Sequence, residues 1–320
     1  MPSQDDNVRV PVYLITGFLE SGKTTFIRNT ARQEYFQIPQ KTLVISTEEG
    51  LEAYDDAELL KSRTVSALIE SKEELTKETL QGFEDTMHPG RVMLEYNPLW
   101  GMADIENLEM PDGWGIIQEI ALVDSSTYEV YRNNMKSMFV DMFRNADMVI
   151  FNRAKEEMPL SDYRRSIKVV SPACEVVFED TNGQMLDIFS DKMPYDLDAD
   201  VIEVEDADFG IFFVDLRDNP DRYDGRIVRF RGKIKKSRAM PSKYFGIGWM
   251  AMTCCADDIQ FIGYLAESPE ARRFSSDTWV TVEAKVEMRH MLAYRGVGPV
   301  FTVWTIAPTE APASELVYFS

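Results

Sequence analysis

The feature that most constrains this chain is the glycine-rich segment at residues 17–24, which reads G-F-L-E-S-G-K-T and matches the pattern G-x-x-x-x-G-K-[ST]. An apolar stretch rich in β-branched residues precedes it at 8–16, and residues 23–33 follow with helical spacing. A strand, a tight glycine turn and a helix in this order direct backbone N–H groups, and the positive end of the helix, at phosphate oxygens. The pattern therefore predicts a phosphate-binding loop.

The side chains of this loop have different predicted tasks. Lys23 supplies a mobile cation for the β- and γ-phosphates of a nucleoside triphosphate, and the Thr24 hydroxyl is offered to Mg²⁺. Asn152 and Arg153, which follow the predicted strand at 147–151, complete the predicted site. The predicted nucleotide-binding residues are Gly17, Glu20, Ser21, Gly22, Lys23, Thr24, Thr25, Asn152 and Arg153.

Strand-like and helix-like stretches alternate through the first half of the chain. The predicted strands lie at 8–16, 42–46, 91–96, 117–123 and 147–151, and the predicted helices at 23–33, 73–86 and 128–143. This alternation indicates a mostly parallel sheet that is covered on both faces. The sequence therefore predicts an α/β nucleotide-binding domain over residues 1–190.

The net charge of the chain limits the kinds of molecule that it can bind. The chain has 34 Lys and Arg residues against 54 Asp and Glu residues, which gives a net charge of −20. This balance argues against binding to nucleic acid or to an anionic membrane surface, since those partners need a cationic face. The sequence has neither an apolar run of about 18 residues nor the features of a signal peptide, and its three cysteines cannot form a disulfide framework. We therefore expect a cytoplasmic protein.

Acidic residues follow several predicted strands at the edge where α/β sheets bind nucleotides. Glu95 lies near the end of the strand at 91–96 and is positioned to hold Mg²⁺ directly or through water; the alternative is a surface carboxylate. Glu48 and Glu49 follow the strand at 42–46 and could orient water or contact the metal. Lys23, Glu48 and Glu95 are the predicted catalytic residues, and Thr24, Glu48 and Glu95 the predicted Mg²⁺ ligands.

At this point the chain resembles the CobW/HypB/UreG family of P-loop GTPases, and its CobW branch best. Residues 17–25 read GFLESGKTT, which differs from that branch's GFLGSGKTT only at Glu20. Residues 44–50, VISTEEG, resemble the family's V-N-E-x-G segment, and this resemblance implies that Glu48 occupies a position linked to Mg²⁺.

Three further segments extend the resemblance over roughly residues 8–180. Residues 93–95, MLE, resemble the family's second acidic motif, and residues 121–124, ALVD, resemble its VVD strand. Residues 146–153, ADMVIFNR, resemble the approach to its guanine-binding motif, which implies that Asn152 and Arg153 contact the nucleotide. The resemblance implies a GTPase whose client is a metal or a metalloprotein.

The sequence departs from the family in three places. Lys155 stands where the N-K-x-D motif has an aspartate, and lysine has no acceptor for the guanine edge, so GTP and ATP both remain candidates. Pro98 replaces a glycine after the second acidic motif and has no N–H for a γ-phosphate, which favours slow hydrolysis. Residues 51–80 contain no cysteine or histidine, so the family's C-x-C-C metal site is missing.

The pattern changes near residue 190. Residues 191–208 are strongly acidic and lack periodicity, which indicates a linker, and residues 191–320 then carry short alternating stretches at 227–234, 250–255, 279–286 and 300–306. These predict a small barrel or sandwich. The segments 223–232, 252–258 and 279–282 resemble the C-terminal domain of the YcgQ family, which implies an OB-like β domain.

Two adjacent cysteines mark this second domain. Cys254 and Cys255 could bind Zn²⁺ as thiolates, with His290 as a further ligand. Neighbouring residues of a regular strand point to opposite faces, so both thiolates could reach one ion only across a bulge or a turn. The alternative is that both cysteines pack as small apolar residues.

A basic ladder at residues 229, 231, 233 and 235 lies on one face of a predicted strand. An OB-like barrel with such a ladder could bind nucleic acid. The ladder could equally pair with the acidic segment 191–208 or with a protein partner, and the charge of −20 favours this second interpretation.

The sequence as a whole predicts a nucleotide-binding protein that hydrolyses GTP or ATP with Mg²⁺ and is coupled to handling of a metal or a metalloprotein. One alternative is a nucleotide-dependent interaction protein that does not hydrolyse its ligand. The other is a metal- or thiol-responsive module that acts through Cys254 and Cys255.

Overall fold

The computed structural model describes residues 8–48, 54–186, 193–237, 240–252 and 259–318. They form two compact units. The first runs to Leu160 and resumes at Val170, and the second contains Ser161–Val169 and the described residues from 193 onwards. The predicted boundary between residues 190 and 191 lies outside the described residues.

The first unit is built on a seven-stranded sheet in which neighbouring strands run parallel. The strands are β1 (Val10–Thr16), β2 (Thr42–Ser46), β3 (Thr64–Leu68), β4 (Arg91–Tyr96), β5 (Trp114–Asp124), β6 (Met148–Asn152) and β7 (Glu175–Phe178). Their order is β3-β2-β4-β1-β5-β6-β7, which places β1 in the middle. The predicted α/β fold is confirmed, and the ends of β1, β2, β4, β5 and β6 that carry the predicted site share one edge of the sheet.

Helices connect these strands. They are α1 (Lys23–Arg32), α2 (Asp56–Leu59), α3 (Lys77–Met87), α4 (Met102–Glu106), α5 (Tyr128–Asn134), α6 (Lys136–Arg144) and α7 (Leu160–Val170). No helix among the described residues is long and apolar enough to cross a bilayer.

Two helix predictions were wrong in their bounds. The helix predicted at 73–86 begins only at Lys77, because Thr76 caps it by accepting a hydrogen bond from the Thr79 N–H. The helix predicted at 128–143 is two helices that break at Met135, whose φ is −134°. Asn134 precedes the break and donates its side-chain amide to the Val130 carbonyl at 2.7 Å, the local competition that makes asparagine a poor residue for a helix interior.

The core of the first unit fixes the loop after β1 at both ends. Every residue of β2 and β4 is buried, as expected for strands covered on both faces. Ile15 of β1, Val44 of β2 and Met93 of β4 pack with Ile27 of α1. Each such buried side chain contributes about 1.5–3 kcal/mol, so both β1 and α1 are anchored in the same core.

The second unit contains a closed five-stranded barrel. The sheet of this unit has seven strands, and five of them, β9 to β13, form the barrel. The strands are β8 (Ile202–Glu203), β9 (Ile227–Lys235), β10 (Tyr244–Met252), β11 (Ile259–Glu267), β12 (Trp279–Met291), β13 (Gly296–Pro308) and β14 (Leu316–Tyr318). Strand β9 pairs with both β10 and β12, while β11 and β13 pair in parallel, so β9 to β13 close in the order β9-β10-β11-β13-β12. The predicted OB-like β domain is confirmed.

Aromatic side chains fill this barrel. The helix α8 (Phe209–Asp218) contributes Phe212, whose ring lies 6.2 Å from that of Phe301. Trp249 and Trp279 meet edge to face with centroids 4.7 Å apart. Such pairs add about 0.5–1.5 kcal/mol beyond their buried area, so the second unit has a core of its own.

The strand predicted at 250–255 was wrong in its bounds, and β11 was not predicted. Strand β10 begins at Tyr244, and Gly246 and Gly248 interrupt its apolar alternation, which removes the signal that would have revealed its first half. Residues 253–258, with Cys254 and Cys255, lie outside the described residues.

The described part of the acidic segment, residues 193–208, pairs with two residues of the basic ladder. It contains β8 and a helical turn at Asp206–Asp208. Arg229 forms ion pairs with Glu203 and Glu283, and Arg231 pairs with Asp206. The other ladder residues pair with Glu315 and Asp277. The prediction that the ladder pairs within the chain is confirmed, and β8 of the acidic segment extends the barrel sheet beside β9.

Candidate functional site

The loop between β1 and α1 has the backbone of a phosphate cradle. Gly17 and Gly22 have φ values of 149° and 95°, which glycine adopts without strain. A Cβ atom at Gly17 would lie 2.5 Å from the Leu122 carbonyl oxygen, and one at Gly22 would lie 2.7 Å from Asn152 Nδ2. Both positions therefore require glycine, because a side chain at either one would collide with these neighbouring atoms.

Lys23 is held inside this loop. Its ammonium group donates to the carbonyl oxygens of Gly17 at 2.7 Å and Phe18 at 3.0 Å, and it forms an ion pair with Glu48. The residue is only 3% exposed. A buried ammonium group needs such partners because an unpaired charge in the interior is costly. The cation is thus fixed within the loop, with a carboxylate as its anionic partner.

A second group of contacts surrounds Glu95. Thr24 Oγ1 donates to Glu95 Oε1 at 3.0 Å, and the Tyr54 hydroxyl donates to Glu95 Oε2 at 2.5 Å. Burial raises the pKa of Glu95, whereas the hydroxyl of Tyr54 and the charge of Lys23 act in the opposite direction. Burial and the adjacent Glu95 raise the pKa of Tyr54 above its usual range, so its hydroxyl remains a proton donor.

The segment after β2 is clamped to the end of β4. Ser46 lies beside Glu95 in the register of the two strands, and the Thr47 N–H and hydroxyl both donate to the Glu95 carbonyl, at 3.0 and 3.1 Å. The Asn97 N–H in turn donates to the Thr47 hydroxyl at 2.8 Å. These bonds fix the backbone that carries both Glu48 and Glu95.

Asn152 and Arg153 bind the far side of the loop. Asn152 donates to the Ser21 carbonyl at 2.6 Å. Arg153 donates to the Glu20 carbonyl at 3.1 Å and pairs with Asp124 at 2.6 Å. The structure therefore places both residues against the P-loop backbone, while Lys155 is exposed.

Two polar atoms of this region have no protein partner. Within the part of the chain that the structure describes, Ser21 Oγ and Asn152 Oδ1 are buried without a hydrogen bond. Buried polar groups are otherwise nearly always paired. Asn152 Oδ1 can only accept a hydrogen bond, whereas Ser21 Oγ can donate one to a phosphate oxygen. The Ser21 hydroxyl in the glycine turn, and the Thr24 hydroxyl beside the buried carboxylate of Glu95, therefore fit a Mg²⁺-bound phosphate.

Sequence reasoning missed Tyr54 and Thr47. Tyr54 belongs to no motif and meets Glu95 across 41 positions in the chain. Thr47 lies within the segment at 44–50, directly after a predicted strand, but the sequence pattern assigns it no role. No group of three His, Cys, Asp or Glu side chains among the described residues is arranged to hold a metal ion.

Comparisons with known proteins give the following likenesses. A family model described as the DUF1980 C-terminal domain matches residues 184–319. The solved structure of hydrogenase maturation factor HypB from Archaeoglobus fulgidus is 14% identical, with a TM-score of 0.40, and the match covers 55% of this chain and 84% of that one. Zn(II)-bound YjiA GTPase from E. coli is 16% identical, with a TM-score of 0.41, over 81% and 89% of the two chains.

HypB from Helicobacter pylori in complex with nickel is 15% identical, with a TM-score of 0.39, over 54% of this chain and 80% of that one. No curated protein matches the chain in sequence. The motifs of residues 17–25 and 146–153 lie around one loop at the edge of a parallel sheet. The first part of the chain thus resembles the P-loop proteins of the CobW/HypB/UreG family, and residues 184–319 are similar to the DUF1980 C-terminal domain.

Proposed function

We propose that this chain binds GTP or ATP as a Mg²⁺ complex at the loop after β1, hydrolyses it slowly, and couples the nucleotide state to a metal or metalloprotein client. The observation that carries the proposal is the fixed ammonium group of Lys23 within the glycine turn. It lies in the same site as the Thr24–Glu95 hydrogen bond.

Different residues of this site bind the phosphate groups and the Mg²⁺ ion. Lys23 binds the β- and γ-phosphate oxygens, and the loop amides and the start of α1 bind the remaining charge. Thr24 and Glu95 hold Mg²⁺, with Glu48 beside them, and the bound ion neutralises charge on the phosphate oxygens. Glu48 is the ion-pair partner of Lys23, so an incoming phosphate takes over the ammonium group and releases the carboxylate to orient water.

Two residues favour slow hydrolysis of the bound nucleotide. Pro98 begins a helical turn after β4 and has no N–H to donate to a γ-phosphate. Glu48 competes with the phosphate for Lys23. These same residues favour the second candidate function, in which the chain binds nucleotide, changes its interactions and does not hydrolyse.

The preference of the site for the guanine of GTP or the adenine of ATP depends on the loop after β6. Asn152 is present, but its amide donates to the Ser21 carbonyl, and Lys155 offers no acceptor to the guanine edge. The family resemblance favours GTP, whereas this chemistry permits ATP. A direct comparison of the two nucleotides is therefore part of the test.

The metal-related part of the proposal rests on the resemblance to CobW proteins. YjiA was solved with zinc and Helicobacter pylori HypB with nickel. If this chain binds Zn²⁺ itself, Cys254 and Cys255 are the candidate ligands. Zinc stoichiometry measured before and after changing both to serine tests this role, and unchanged stoichiometry excludes it.

The test of nucleotide binding is titration calorimetry with GTP and with ATP in the presence of Mg²⁺. We expect Lys23→Ala to weaken binding roughly 10- to 100-fold, because hydrogen bonds to charged groups contribute about 1.5–3 kcal/mol each. Lys61→Ala is the matched control, since Lys61 is an exposed lysine of the same unit. Equal affinity in wild type and Lys23→Ala would contradict the proposal.

Phosphate release by the same proteins separates the two candidate functions. Release that exceeds background in wild type and is lost in Lys23→Ala supports slow hydrolysis. Tight binding with release at background, for both nucleotides, supports the non-hydrolysing protein instead.

A further inference from the structure

Both carboxylate oxygens of Glu95 already have a donor from another segment of the chain. Thr24 Oγ1 donates to Oε1 at 3.0 Å, and the Tyr54 hydroxyl donates to Oε2 at 2.5 Å. Glu95 is only 3% exposed, so these hydroxyls replace most of the water that a carboxylate would otherwise bind. Because each carboxylate oxygen accepts a hydrogen bond from a different segment, the Glu95 carboxylate is held in one orientation.

The ring of Tyr54 is itself anchored. It packs against the core that includes Val44 and Met93 in the two strands beside the site. The hydroxyl therefore reaches Glu95 from a fixed ring. A mobile surface residue would lose more side-chain entropy in making the same bond.

The orientation of Glu95 has a consequence for Thr24. The Thr24 hydroxyl has one proton, and it donates that proton to Glu95. Its lone pairs are then available to a cation. If Glu95 were free to rotate, Thr24 could turn its proton towards the cation site and lose this preorganisation.

We propose that Tyr54 is a positioning residue for the Mg²⁺ side of the nucleotide site, which acts by fixing Glu95 and, through it, Thr24. The inference rests on the proposed nucleotide function. It assigns to Tyr54 a role in the Mg²⁺-dependent part of the affinity and none in the contacts of Lys23 with phosphate.

Tyr54→Phe isolates the hydroxyl, because phenylalanine keeps the ring and its packing. Calorimetric titration with GTP and ATP is carried out in excess Mg²⁺ and, separately, in excess EDTA. We expect roughly tenfold weaker binding with Mg²⁺, the loss typical of groups that orient metal ligands, and unchanged binding in EDTA. Tyr35→Phe is the control, since Tyr35 is 82% exposed.

A double-mutant cycle with Glu95→Gln checks that Tyr54 acts through Glu95. Tyr54→Phe should have no further effect on Mg²⁺-dependent affinity in the Glu95→Gln protein, because the carboxylate it orients is gone. Additive effects of the two substitutions would overturn the inference.

The remaining outcomes are equally decisive. Unchanged or tighter Mg²⁺-dependent binding by Tyr54→Phe overturns the positioning role while the proposed function stands. Equal weakening with Mg²⁺ and with EDTA means that the hydroxyl supports the fold only, which also overturns it. A wild-type protein that binds neither nucleotide contradicts the proposed function, and the role of Tyr54 with it.

Discussion

Glu20 is the residue at which the loop after β1 departs from the sequence pattern of the CobW proteins that it resembles, and its backbone conformation carries a cost. Its φ of 64° lies in the left-handed region, where a glycine is unstrained and a side chain is not. Arg153 holds the Glu20 carbonyl at 3.1 Å, which keeps the loop in this conformation. The exposed carboxylate of Glu20 also adds a negative charge beside a site for phosphate.

Two substitutions separate strain from charge. Glu20→Gln removes the charge alone and should tighten nucleotide binding roughly two- to fivefold at low ionic strength, with the gain fading as salt screens it. Glu20→Gly also removes the strain and should raise the free energy of unfolding by up to about 1 kcal/mol. Calorimetry at two salt concentrations and urea unfolding measure these effects. An affinity gain that is unaffected by salt would contradict the electrostatic argument.

The residues of the candidate nucleotide site differ in how clearly the sequence reveals them. Lys23 and Thr24 belong to one short motif, whose spacing predicts their roles. Tyr54 is different, because its hydroxyl meets Glu95 only after β2 and β4 have paired in the sheet. A contact between segments that the sheet brings together leaves no local pattern, so sequence alone could not single out Tyr54.

At the scale of the elements, the junction of β5 and β6 holds an acidic cluster. Burial raises the pKa of Glu119 to about 7, and the nearby carboxylates of Glu106 and Asp147 add to the shift. The Glu119 N–H donates to Asp147 Oδ2 at 2.8 Å, which keeps the two residues together. The folded protein therefore retains a proton on Glu119 in a range where the unfolded chain has released it.

This proton gives stability a defined pH dependence. The stabilisation that comes from protonated Glu119 is fully present below the ordinary pKa of glutamate. It is lost as the pH rises through the raised pKa of about 7. Glu119→Gln is neutral throughout, so it should gain about 1 kcal/mol relative to wild type between about pH 5 and pH 8, a value reduced for partial solvent exposure. Urea unfolding at both pH values measures the difference. Glu109→Gln, at an 82% exposed side chain, is the control and should show none.

The boundaries of the helices and strands also differ in how clearly the sequence reveals them. Strands β2 and β4 were predicted correctly because their fully buried apolar runs are strong local signals. The break at Met135 was missed because apolar residues keep their helical spacing across it, while the Asn134 side chain competes for the helix backbone. Periodicity reports which face is buried, and it does not report where the backbone turns.

At the scale of the whole molecule, the distribution of charge decides which partners are excluded. The net charge is −20, and the four residues of the basic ladder on β9 each pair with a carboxylate of the second unit. A barrel with OB topology binds single-stranded nucleic acid through a free basic groove and exposed aromatic platforms. Here that cationic surface is neutralised within the chain.

We therefore expect no specific binding of single-stranded DNA or RNA. Fluorescence anisotropy with labelled oligonucleotides at low salt should give a Kd weaker than about 10⁻⁴ M, the weak end of non-specific binding. Replacing both Arg229 and Arg231 with alanine should leave this result unchanged, because both guanidinium groups are already paired with carboxylates of the same unit. Binding that is tighter, falls steeply with salt and is lost in the double variant would show that nucleic acid displaces the acidic segment. The ladder would then be a nucleic-acid site that Glu203 and Asp206 block in the unbound protein.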